Sequence, residues 1–121
     1  MTANTDVFDL ARIEAQWGAP VDDIYRVVLS IFATEGGERC AEARVSLAEG
    51  RRDALHRAAH TLAGASANVG AIHLSNCAAS LEAAAKTQPE KTLGELLNQV
   101  ESAWQAVRNE IRAGGPRTRD S

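Results

Sequence analysis

The chain has 121 residues, 45% of them apolar and 4% aromatic, with a formal net charge of −3. That length corresponds to one domain, and the apolar fraction is enough for a core, which excludes a disordered chain. Scarce aromatics with plentiful Ala, Leu and Val suit closely packed helices rather than a β-sandwich, and the acidic balance gives no reason to expect nucleic acid or a membrane surface as partner.

Residues 1–5 are polar, and Asp6 can cap a short helix over about 7–17 whose apolar positions are Phe8, Leu10, Ile13 and Trp17. Gly18-Ala19-Pro20 ends it. Pro20 suits the first turn of the next helix, and Asp22 and Asp23 suit its positive end. This second helix carries Ile24, Val27, Val28, Ile31 and Phe32 at helical spacing. Gly36-Gly37 interrupts the pattern, which resumes through Cys40, Ala41, Arg44, Val45 and Leu47. The expectation is one long helix to about 49, kinked or loosened at the glycine pair, because two interior glycines cost roughly 2 kcal/mol relative to alanine.

Gly50 suits the position just past a helix end. A third helix is predicted over about 51–69, closed by Gly70. A fourth, over about 71–86, places Leu74, Cys77, Ala78, Leu81 and Ala85 on one face. After Thr87-Gln88-Pro89 the last helix has the cleanest period, through Leu93, Leu96, Leu97, Val100, Trp104, Val107 and Ile111, and Gly114-Gly115-Pro116 stops it. Short connections make neighbours antiparallel. There is no period-2 alternation and no internal repeat. The predicted fold is therefore all-α: an antiparallel up-and-down four-helix bundle with a short additional N-terminal helix, one domain over 1–121 with an ordered core at about 7–112 and a flexible tail at 113–121.

Cys40 and Cys77 form no CxxC pair and lie in helical patterns, so both read as reduced, mostly buried small hydrophobes. No apolar run reaches the ~20 residues a membrane helix needs. Residues 1–6 have neither the basic start nor the apolar core of a signal peptide, and the expected location is cytoplasmic.

The third helix carries the candidate site. With Leu55 as the zero direction, Ala59, Leu62, Ser66 and Val69 fall within about 40° and form the core stripe, while His60 points about 140° away. Asp53, His56, Arg57, Ala63, Gly64 and Ala67 surround His60 on that outer side. A mid-helix glycine costs about 1 kcal/mol against alanine. Gly64 therefore either clears space beside an exposed histidine or permits close helix packing, and spacing alone leaves both open.

The run His60-Thr-Leu-Ala-Gly64-Ala-Ser66-Ala-Asn-Val-Gly70-Ala71, followed by Leu74 and then Ser80-Leu81-Glu82, resembles the motif of histidine phosphotransfer (HPt) domains, phosphoproteins of two-component phosphorelays. Arg57-Ala58-Ala59 and the turn at Ala48-Glu49-Gly50 add to the likeness, which extends over about 7–111. The resemblance implies a four-helix bundle and a phosphoryl group carried on histidine between receiver-domain aspartates of a hybrid kinase and response regulators. It makes His60 the phosphoryl acceptor and Gly64 the small residue that keeps it accessible. The family pattern has lysine where this chain has Ala63, a residue expected near the phosphoryl group. Arg57, one turn before His60, is the candidate replacement, and a protonated His56 could contribute.

The resemblance further implies no cofactor of the chain's own, with Mg²⁺ expected in the partner receiver, and no autokinase activity, since no Gly-rich nucleotide loop is present. His60 Nε2, the distal nitrogen, is the expected nucleophile, and the docking surface is the His60 face plus apolar neighbours such as Phe8 from the first helix. A monomer is expected. Two competitors remain. His56 and His60, four apart, could ligate a metal, with Asp53 or His73 as the nearest further ligand. Alternatively the bundle is an adaptor that keeps the shape without carrying phosphate, which the absent lysine favours. Glu82 could face the His60 helix but reads as a solvated surface acid, His73 as structural or surface, Ser66 as bonded to its own helix backbone, and Trp17 and Trp104 as anchors at or beside the core.

Overall fold

A computed structural model describes residues 7–18 and 21–116. They form five helices, α1 (Leu10–Trp17), α2 (Asp23–Ala48), α3 (Arg52–Asn68), α4 (Ile72–Ala84) and α5 (Glu90–Arg112), and no strand occurs among them. Helices α2 to α5 pack in a closed ring in chain order, α5 returning against α2. Contacts between ends show the antiparallel sense. Tyr25, at the start of α2, donates its hydroxyl to Val69 O at the end of α3 (2.7 Å). Arg52, at the start of α3, reaches Ala85 O and Gln88 O beyond α4 (3.1 and 2.6 Å). Arg26, early in α2, holds Gly114 O and Pro116 O beyond α5 (2.9 and 2.6 Å).

The first helix begins later than its sequence suggests. Asp9, not Asp6, is the cap, accepting from Arg12 N (3.1 Å), and Phe8 precedes the helix and is buried. Asp6 and Pro20 lie outside the described residues. Helix α1 lies across the end of α3: Trp17 Nε1 donates to Asn68 O (2.9 Å), Gln16 to the Asn68 side chain (3.1 Å), and Asp9 N to Gly70 O (2.9 Å). Gly70 is required there twice over. Its φ of +83° is left-handed, and a Cβ would strike Ile13.

Helix α2 departs most from expectation. Asp22 caps it, accepting from Tyr25 N (3.0 Å). It runs unbroken through Gly36-Gly37, and the inward residues are Tyr25, Leu29, Phe32, Gly36, Cys40, Ala43 and Ser46. Ile24, Val27 and Ile31, the expected core positions, are 66%, 60% and 62% exposed. Two apolar stripes compete in this helix, and the buried one continues through Gly36 into the second half. The glycine pair is a slot rather than a weak point: the Trp104 indole lies against it, edge-on to Phe32 with ring centroids 5.5 Å apart. Burial pushes the Cys40 thiol up to about 12, helped by the Glu101 charge. Both cysteines are free, Cys77 being half-buried.

The remaining stripes fall as their period predicts, except that Cys77, Leu96 and Ile111 are only half-buried. Leu55, Ala59, Leu62, Ser66 and Val69 are buried, joined by Ala58; so are Leu74, Ala78, Leu81 and Ala85, and Leu93, Leu97, Val100, Trp104 and Val107. Ser66 is an exception in its bonding, because its hydroxyl has no hydrogen-bond partner among the described residues. A buried unpaired hydroxyl costs on the order of 1–3 kcal/mol.

The slot generates a paired prediction. A Cβ at Gly36 collides with the Trp104 ring, whereas one at Gly37 sits 3.7 Å from Trp104 Cζ2, an ordinary contact. Gly36→Ala should lower stability by about 1–3 kcal/mol through overpacking. Gly37→Ala should be neutral or raise it by about 0.5–1 kcal/mol through helix propensity. Urea unfolding of both variants checks this, and equal effects would refute the slot.

Candidate functional site

Helix α3 turns its apolar stripe inward and its polar residues outward, and this places His60 on the surface with 72% of its side chain exposed. The ring leans toward α4, where its Nδ1 lies 2.8 Å from Glu82 Oε2. A carboxylate only accepts, so the bond assigns the proton to Nδ1 and leaves the Nε2 lone pair directed away from it. Glu82 is thus not a merely solvated acid, as its position in the sequence suggests. The same Oε2 is 3.8 Å from His56 Nε2, one turn earlier on α3. One turn further along the seam, Lys86 Nζ meets Asp53 Oδ1 at 3.7 Å.

The α3–α4 seam is narrow on the other side of His60. Ser75 Oγ of α4 donates to Ala63 O at 2.8 Å, so a short side chain spans the gap to the α3 backbone. Ala63 and Ala67 are half-buried along this edge, while Arg57 and Gly64 are exposed. A Cβ built at Gly64 meets nothing within 4 Å. That decides between the two readings of this glycine: no neighbouring helix uses the missing methyl, and the space lies open beside His60. Arg57 makes no ion pair or side-chain hydrogen bond among the described residues.

Other sequence-derived candidates are not brought to this site. Phe8 is 4% exposed and cannot contribute to a docking surface. His73 lies on α4 against Cys77 (3.7 Å), apart from the His60 cluster. Burial raises the Cys77 thiol above its ordinary range. Among the described residues no group of three or more His, Cys, Asp or Glu side chains has the arrangement of a metal site.

What the sequence did not reveal is the exposed stripe of α2. Taking Tyr25 as the inward direction, Arg26 and Arg44 point about 100° to the side of α5, and Ile24 and Ile31 about 100–120° to the opposite side, toward α3. Arg44 confirms the α5 direction through Glu101 (2.6 Å) and Asn98 (2.9 Å). Because Tyr25 meets Val69, this half of α2 runs beside the Gly64 end of α3. The outer surface therefore passes from an apolar ridge on α2, across the open space at Gly64, to the His60 ring.

A scan against protein families matches the Hpt domain over residues 27–110. The chain belongs to the Hpt domain family. Among solved structures, histidine-containing phosphotransfer protein B (HptB) from Pseudomonas aeruginosa PAO1 is similar, with a TM-score of 0.80 and 26% identity over 88% of this chain and 92% of that one. A search of curated proteins finds no match. Hpt domains are phosphocarriers of phosphorelays, and this Hpt domain has the helical bundle of its family. No helix among its described residues is long and apolar enough to cross a membrane.

The vacancy at Gly64 carries a prediction about its cost. With nothing near its Cβ, Gly64→Ala should raise stability by roughly 0.5–1 kcal/mol, the helix-propensity difference. A lower urea midpoint for the variant would mean that the position is sterically used after all.

Proposed function

We propose that this Hpt domain accepts a phosphoryl group on His60 and passes it between receiver-domain aspartates of a hybrid kinase and response regulators, acting in the cytoplasm and without autokinase activity. The observation that carries this reading is the state of the His60 ring: Nδ1 tied to Glu82 at 2.8 Å, Nε2 free, and the ring largely in solvent.

Phosphoryl transfer asks a protein for positioning and charge stabilisation more than for covalent chemistry. The neutral Nε2 attacks the phosphorus of a receiver aspartyl phosphate. The N–P bond forms as the P–O bond breaks, and the receiver carboxylate leaves with the electron pair. Nδ1 keeps its proton on Glu82, so positive charge developing on the ring is met by a fixed carboxylate. Onward transfer is the reverse, with the imidazole as leaving group. The receiver supplies the aspartate and the Mg²⁺.

Arg57 is the residue assigned to the phosphoryl charge in place of the lysine that Ala63 lacks. It is exposed on the His60 side of α3, with its guanidinium uncommitted among the described residues. A receiver approaching His60 also covers the Ile24–Val27–Ile31 ridge, which takes the docking role first expected of Phe8. Exposed apolar side chains in a row suit an interface core.

Two experiments test this. Incubation with a phosphorylated receiver domain should label the wild type and leave His60→Gln unlabelled; an unlabelled wild type that still binds the receiver would support the adaptor reading instead. Single-turnover transfer then separates the two supporting roles. Arg57→Ala should slow the step about tenfold or more at saturating receiver, the loss of about 1.4 kcal/mol of transition-state stabilisation. Ile31→Asp should instead raise the receiver concentration needed for half-maximal rate. An unchanged rate in Arg57→Ala would remove Arg57 from the mechanism.

A further inference from the structure

The seam between α3 and α4 holds one more titratable group than orienting His60 requires. Glu82 Oε2 faces His60 Nδ1 at 2.8 Å and His56 Nε2 at 3.8 Å. At 3.8 Å a neutral imidazole makes no hydrogen bond to the carboxylate, whereas an imidazolium makes an ion pair. The His56 side chain is 34% exposed and that of Glu82 25%, so solvent screens the pair only in part.

The charges around His56 can be enumerated. From α4 it is faced by Glu82 and Lys86. On its own helix lie Arg52, Asp53, Arg57 and His60. Lys86 is paired with Asp53 (3.7 Å), and Arg52 is bound to Ala85 O and Gln88 O. Helices α2 and α5 bring no ion pair to this seam among the described residues. A phosphoryl group on His60 adds about two negative charges beside Glu82, and Ala63 offers no cation to meet them.

Resting on the function proposed above, we infer that His56 is a charge-compensating residue that takes up a proton when His60 is phosphorylated. His56 and His60 are four apart on one helix face, so their Cβ atoms are about 6 Å apart. With both rings on one Glu82 oxygen, the added dianion favours the imidazolium form of His56. Glu82 keeps its bond to His60 Nδ1 and simultaneously pairs with the new cation. The proton comes from solvent. By linkage, the His56 proton and the phosphoryl group stabilise each other, so His56 favours phosphorylation increasingly as pH falls through the imidazole range, opposing protonation of His60 Nε2, which removes the acceptor. Arg57, which never loses its charge, acts on transfer rate at every pH; His56 adds its own pH dependence to the equilibrium position.

The test follows the three histidines by NMR. In the unphosphorylated protein, His60→Glu should move the His56 titration midpoint to higher pH and Glu82→Gln should move it lower. His73 should move less than His56, because it sits nine residues from Glu82, about 13 Å along α4. A His56 midpoint unmoved in both variants overturns this inference alone. Phosphoramidate then serves as donor: the Nε2–P bond forms, the P–N bond breaks, and ammonia leaves with its electron pair. The phosphorylated wild type should show a raised His56 midpoint. At low pH relative to high pH, the equilibrium fraction phosphorylated against a receiver aspartyl phosphate should be greater in the wild type than in His56→Gln. An equally steep dependence in His56→Gln overturns the inference. Failure of His60 to take phosphate from either donor overturns the functional reading, and this inference with it.

Discussion

The bond from His60 Nδ1 to Glu82 Oε2 exists only because α3 and α4 approach closely and in one register. Everything that holds that register contributes to the site. Ser75 bridges to the Ala63 carbonyl, Arg52 fastens the far end of α4 to the start of α3, and the Gly70 turn joins the two helices at the near end. Small side chains at Ala59, Ala63 and Ala78 allow the approach. Ala63, Gly64 and Ala67 leave the ring uncovered on its C-terminal side, where no side chain of this outer face is larger than a methyl.

The bundle accordingly divides its labour. The core end carries the bulky groups: Trp104 in the Gly36 slot against Phe32, Tyr25 anchored to Val69, and α1 fastened over the end of α3 by Trp17. The Tyr25 hydroxyl is so deeply placed that burial holds its proton well above the ordinary phenol range. The outer face of α3 is left with the polar groups of the seam and an open vacancy at Gly64. Rigid support on one side and access on the other is what a phosphocarrier requires, because its reactive ring has to meet a partner's active site without rearranging itself.

Much of this was legible before any coordinates. Gly50, Gly70 and Gly114 all take positive φ at helix ends, where their sequence positions suggested stops. The α3 stripe and the exposure of His60 followed from spacing, and the family likeness from the motif residues that begin at His60. Helix α2 was misread in its facing, because Ile24, Val27, Val28 and Ile31 are more hydrophobic than the Tyr25–Gly36–Cys40–Ala43 stripe that is buried. Period alone ranks stripes by hydrophobicity. It does not register that a glycine is inward because an indole needs the room.

The sequence by itself determined what depends on residues within a turn or two: where helices begin and end, which side of α3 is apolar, and that a histidine and a glycine share its outer face. Only the tertiary structure decided the pairings between helices. Glu82 lies 22 positions from His60, and Trp104 lies 68 from Gly36. Whether such residues meet is set by the register and rotation of whole helices against each other. Those are fixed by the summed packing of the core, which no local period encodes.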